Sequence, residues 1–162
     1  MLLLFRRFHL ILLCVVVLSS ATSTGADDEK SLFAAISRGD ASRVSTIIAS
    51  HPEYLKLRTR IGMSPLHYAA QDADSKVLKT LLRHTDDVNL CDNDGMTPLH
   101  YAARFNRKES VELLLKHGAE VDYCGFENQG TSKERALTPL CKAASLGAVE
   151  TAEILIGAGA AV

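Results

Sequence analysis

The side chains best suited to chemistry are six histidines and four cysteines, and their spacing decides between a reactive and an architectural role. His67 and His100 stand as far apart as His84 and His117, and Cys91 and Cys124 repeat the same interval. A catalytic histidine need occur only once and needs a positioned partner, so a histidine repeated at a fixed interval points to one structural job done twice. Zinc is the sharper alternative for His84, His117, Cys91 and Cys124, since these are ligand types. Structural zinc wants ligands converging on a tetrahedron, whereas residues in one phase of successive units form parallel ladders, so no metal is expected. The ladder also argues against a Cys91–Cys124 disulfide, because packed layers lie roughly 8–10 Å apart and a bridge needs Cα atoms within about 7 Å. No phosphate-cradling glycine loop, CxxC pair or GxSxG elbow is present. The expectation is a chain with no catalytic residues, no cofactor and no small-molecule substrate.

The interval has its source in one phrase that occurs three times: Ser64-Pro65-Leu66-His67-Tyr68-Ala69, Thr97-Pro98-Leu99-His100-Tyr101-Ala102, and Thr138-Pro139-Leu140-Cys141-Lys142-Ala143. A Ser or Thr can cap a helix, and the proline after it fits the first helical position, where no N–H is needed. Each phrase therefore starts a helix, with Leu66, Leu99 and Leu140 facing inward. The alanine pairs 69–70, 102–103 and 143–144 let a neighbouring helix approach closely. Self-similarity at a period of about 33 residues marks a stack of supersecondary units, and the hydroxyl-Pro-Leu-His-x-Ala phrase resembles the ankyrin repeat.

That resemblance implies an all-α solenoid of stacked helix pairs with protruding hairpins. It also implies that His67 and His100 brace the hairpins by hydrogen bonds. Cys141 replaces the histidine in the third unit, so the hairpin there should be looser. The hairpin is represented by residues 88–96, with Asp94-Gly95 as its tight turn. Repeat one runs over residues 58–90, repeat two over 91–123 and repeat three from 124 to 162, incomplete at its C-terminal end. The stretch 121–137 of repeat three is longer than its counterpart and reads as a solvated finger loop. Second helices carry Val77, Leu78, Leu81 and Leu82, then Val111, Leu114 and Leu115, then Ala152, Ile154, Leu155 and Ile156, which are core stripes. Gly118 and Gly159 cap them, and Thr85 in the matching place of repeat one should cap more weakly.

Ahead of the repeats, residues 1–26 read as an export signal, with Arg6 and Arg7 before the apolar run 10–18 and small residues after it. Cleavage is favoured over a signal anchor, because a spanning helix needs about 20 apolar residues. The mature chain is then expected outside the cell or in the secretory lumen, off the membrane. Loss of Arg6 and Arg7 takes the formal charge from −1 to −3, and no basic patch interleaved with aromatics argues for nucleic acid. Cys91, Cys124 and Cys141 remain, and free thiols sit uneasily with an oxidising compartment. Residues 27–57 read as a degenerate capping pair, with helices over 31–37 and 44–50. Arg38-Gly39-Asp40 resembles an integrin-recognition motif, but it falls where each pair turns from first to second helix and a glycine at positive φ is wanted.

The family resemblance implies a non-catalytic module that holds a protein partner on its hairpins and first helices. The residues placed there are Arg60, Ile61, Met63, Gln71 and Asp72, then Asn93, Asp94, Met96, Arg104 and Phe105, then Ser145 and Leu146. Of these, Arg104 and Phe105 belong to the classes enriched at interface centres. A second reading makes this the ankyrin part of a larger exported effector, toxin or enzyme.

Overall fold

The computed structural model describes residues 25–72, 74–123 and 138–162, with side chains from residue 30 onward. The leader before residue 25, Cys124 and the finger loop 124–137 lie outside the described residues. Eight α-helices, and no strand, are found among the described residues: α1 Gly25–Ser37, α2 Ala41–Ser50, α3 Pro65–Gln71, α4 Lys76–Leu82, α5 Pro98–Arg104, α6 Lys108–Lys116, α7 Pro139–Ser145 and α8 Val149–Gly157. A 3₁₀ turn, Pro52–Lys56, follows α2. Leu32–Val162 form one compact unit.

Each repeated phrase starts a helix as its composition dictates. Pro65, Pro98 and Pro139 occupy the first turns of α3, α5 and α7 behind Ser64, Thr97 and Thr138 in extended backbone. The first helices pack on one another in order, α3 on α5 and α5 on α7, while α2 packs on α4 and α6 on α8. Leu66, Leu99 and Leu140 are buried, and Ala69, Ala70, Ala102, Ala103 and Ala143 are fully so. Val77, Leu78, Leu81, Leu82, Val111, Leu114 and Leu155 complete the core from the second helices. Removing a leucine of this kind from water stabilises the fold by about 1.5–3 kcal/mol. Leu115 is half-buried and Ile156 is exposed, so the apolar stripe thins toward α8.

The turn from first to second helix has one geometry in the capping pair and in repeats two and three. Gly39 and Gly147 sit at φ 70° and 68°, and Asn106 takes the same left-handed backbone at φ 52° in repeat two. Asparagine is among the few side chains that tolerate it. Arg107 N–H then reaches Ala102 C=O at 2.8 Å, as Asp40 N–H reaches Ala35 C=O at 3.0 Å. The Asp40 carboxylate accepts the Arg43 N–H at 2.9 Å and caps α2. Gly39 and Asp40 thus have an architectural account.

Two boundaries differ from expectation, the start of α1 and the start of α2, which begins at Ala41, ahead of residue 44. α1 begins early, at Gly25, so Asp27, Asp28 and Glu29 fall inside its first turns, where the positive helix end favours carboxylates. α4 is shorter than α6. Where Gly118 and Gly159 close α6 and α8 through Ala119 N–H to Leu114 C=O and Ala160 N–H to Leu155 C=O, both 3.0 Å, the Thr85 hydroxyl donates instead to Asp87 C=O at 3.2 Å.

Candidate functional site

The geometry begins with the buried histidine. His67 Nδ1 lies 3.0 Å from the Ser64 backbone N–H and 2.8 Å from the Ser64 hydroxyl, and Nε2 lies 2.9 Å from Met96 C=O. A backbone N–H can only donate, so Nδ1 is the acceptor and the ring proton sits on Nε2, donating to Met96 of the next repeat. One side chain therefore closes the start of α3 and pins the following hairpin. Burial holds the His67 pKa below its ordinary value, outweighing the Met96 carbonyl and Asp92, which favour the charged ring. His100 repeats the contact to Thr97, 3.0 Å to its N–H and 2.8 Å to its hydroxyl. At Cys141 only the Thr138 hydroxyl cap survives, accepting Cys141 N–H at 3.2 Å.

A second centre of the hairpin is Asp92. One carboxylate oxygen accepts the N–H groups of Asp94 and Met96, both at 2.9 Å, and the other accepts the Tyr101 hydroxyl at 2.6 Å. Tyr101 meets the His67 ring edge-on, centroids 5.5 Å apart. Burial, then the Asp92 hydrogen bond, pushes the Tyr101 phenol well above its usual range. Sequence reasoning missed this pair; the available signal was Tyr68 and Tyr101 in one phase. It also missed a latch in which Asn89 accepts Glu120 N–H at 3.0 Å, and Asp122, at the matching place of the next repeat, accepts Ala161 N–H at 3.0 Å.

Two residues expected to face a partner are corrected. Met63 and Met96 are buried, 5% and 8% exposed, and form a small cluster with Tyr101. The hairpin folds back over the first helix, so the phase-matched methionines point under it. The other positions reach solvent. Arg60 and Ile61 occupy one exposed turn, and Asn93 ties it to the next, its N–H to Ile61 C=O at 3.1 Å and its side-chain amide to Arg60 C=O at 3.1 Å. Asp94 is exposed at that second turn. Gln71 and Asp72 are half-buried, and the Gln71 carbonyl accepts Arg107 Nε–H at 2.8 Å. With Ile36, Ser37, Tyr68 and Arg107 they line a cleft of about 290 Å³. Arg104 holds its guanidinium 5.5 Å from the centroid of the Phe105 ring, which is 41% exposed, and Leu146 at the matching place of α7 is 60% exposed.

Among the described residues no group of three or more His, Cys, Asp or Glu could hold a metal ion, and no helix is long and apolar enough to cross a membrane. His117 Nδ1 donates to Leu113 C=O of its own helix at 2.8 Å. Cys91 is half-buried with its thiol 3.6 Å from Asn89 C=O, and it pushes the Tyr123 phenol up to about 12 through a hydrogen bond. Cys141 is an exposed free thiol.

A search of curated proteins finds no match to the chain. A family model described as ankyrin repeats, three copies, matches residues 31–124, from within α1 to the edge of the finger loop. Members of that family are generally protein–protein interaction modules and typically non-catalytic. With the stacked helix pairs, the proline-started first helices and the histidine brace in place, this chain belongs to the ankyrin-repeat family.

Proposed function

We propose that the protein is an exported, non-catalytic scaffold that holds a protein partner across the turn tips and the outer ends of its first helices. The observation that carries this reading is the Arg104–Phe105 pair at the end of α5. An arginine and an aromatic ring held against each other and open to solvent present a preformed anchor at low entropic cost. Arg60, Ile61 and Asp94 extend the same kind of exposed surface along the turns, and Gln71 and Asp72 border the neighbouring cleft. Met63 and Met96 support the turns from beneath instead of touching the partner.

The test is capture from the secreted fraction with the wild-type chain and with Arg104→Ala/Phe105→Ala side by side, followed by cross-linking of the captured complex. Cross-links clustering at residues 60–61, 93–94 and 104–107, lost in the double variant, support the reading. Cross-links confined to α2, α4 and α6 overturn it. The leader is tested separately: secretion from a eukaryotic host should yield an N-terminus between residues 21 and 27, and intact Met1 in the cytosol refutes export.

A further inference from the structure

Charge is divided unevenly between the helices of the repeats. The first helices α3, α5 and α7 carry Arg104 and Lys142 and no carboxylate, whereas the second helices α6 and α8 carry Glu109, Glu112, Glu150 and Glu153. On the neighbouring turn the Asp92 carboxylate is consumed internally by the Asp94 and Met96 N–H groups and the Tyr101 hydroxyl. Asp94 is the carboxylate that this turn leaves exposed. The two cations stand beside the two exposed apolar side chains of the same surface. α5 packs on α7, and helices in contact lie about 8–10 Å apart. Leu146 follows Lys142 by one helical turn, so the two share a face, and Arg104 and Phe105 close the adjoining end of α5. Phe105 is 41% exposed and Leu146 60%, with Arg104 exposed and Lys142 half-buried. The ion pairs found among the described residues, His51–Glu53 and Lys76–Asp74, involve neither cation. Glu150 borders the patch from α8, held by the Asn106 amide at 3.4 Å.

We infer that the partner meets this patch with an acidic, amphipathic peptide segment: carboxylates reach Arg104 and Lys142, and an apolar side chain between them rests on Phe105 and Leu146. This rests on the partner-binding reading above and adds the chemistry of the partner to it. Arginine offers a carboxylate a two-pronged donor, and the ring beneath Arg104 holds the guanidinium in place for it. A nucleic acid fits less well. Its binding gathers affinity over many phosphate contacts, whereas this patch has two cations, two apolar side chains, and Asp94 and Glu150 near its borders. Charges at an open surface act mainly on encounter rate and salt sensitivity, so binding should weaken as salt rises.

Random peptides of roughly 12 residues, displayed on phage and selected on the full chain, supply the probe. Enriched sequences should combine Asp or Glu with Leu, Ile or Phe. Their dissociation constants, read by fluorescence polarisation, should rise about tenfold or more in Arg104→Glu and in Lys142→Glu, and stay within about twofold in Lys79→Glu on α4. They should also rise several-fold between about 50 and about 300 mM salt. Unchanged unfolding transitions show that the variants remain folded; where one is lowered, Arg104→Gln and Lys142→Gln take its place. No enrichment, enriched peptides without acidic residues, or acidic peptides that bind the charge variants like wild type overturn the inference. So does a single-stranded oligonucleotide of the same length that binds more tightly and is lost in the same variants. Neutral or basic peptides lost in Arg104→Ala/Phe105→Ala would remove the acidic preference and leave the partner-binding surface standing. Peptides indifferent to that double variant would remove both.

Discussion

Replacing His67 with alanine withdraws one ring from two repeats at once. The Ser64 N–H and the Met96 carbonyl both lose their partner at a site that is 0% exposed at the histidine. A buried polar group left unsatisfied costs about 1–3 kcal/mol, so two cost about 2–6 kcal/mol. That is a large share of the roughly 5–15 kcal/mol that holds a domain of ordinary stability. The variant also removes a pH dependence. The folded pKa lies below the ordinary 6.5, so the brace is intact above that value. Below it the unfolded chain takes up a proton that the fold refuses, because a protonated Nδ1 would oppose the Ser64 N–H. Stability then falls with decreasing pH at up to about 1.4 kcal/mol per unit, until the folded ring itself protonates. Urea unfolding of wild type and His67→Ala at pH 7.5 and at 5.5 measures both effects. The variant should be weaker at pH 7.5 and show a shallower loss toward pH 5.5. A cost under about 1 kcal/mol, or equal pH slopes, refutes the brace.

Gly62→Ala should destabilise by about 1–3 kcal/mol, because φ is 80° and a Cβ would lie 2.6 Å from the Asn93 backbone nitrogen. Gly118→Ala, with φ 87° and open space around it, should cost about 1 kcal/mol; equal denaturant midpoints for the two variants would count against the close packing of the turns. Tyr101→Phe should cost about 1–2 kcal/mol by stranding part of the Asp92 carboxylate, and ultraviolet titration of the wild type should show two phenols ionising above the usual range, Tyr101 and Tyr123, the Tyr101 step disappearing in the variant. Cys141→His should restore the capping box at α7 and stabilise by about 0.5–1 kcal/mol; an unchanged melting temperature would mean that the loosened third phrase is not the weak point.

The features legible from sequence were those that repeat. The recurring phrase located the starts of α3, α5 and α7 and their inward leucines, because capping and proline geometry act locally, while the histidine brace came from the family resemblance. What escaped depends on where the chain folds back. Met63 and Met96 share a phase, which is legible, but which side of the hairpin they occupy is set by its packing against Tyr101. The Asp92–Tyr101 bond and the Asn89 and Asp122 latches join residues across turns, where a polar residue reads only as solvated. The early start of α1 was missed because acidic residues before a helix and inside its first turn look the same in sequence. Arg104 beside Phe105 was legible as a pair of residue types, and the contact between guanidinium and ring was visible only in the structure.

The most direct measurement is the affinity of the captured partner for Arg104→Ala/Phe105→Ala, with thermal unfolding recorded on the same preparation. The surface reading predicts a loss of about 30-fold or more, equivalent to about 2 kcal/mol, with unfolding nearly unchanged. Undiminished affinity, or a large fall in stability with affinity intact, would contradict it.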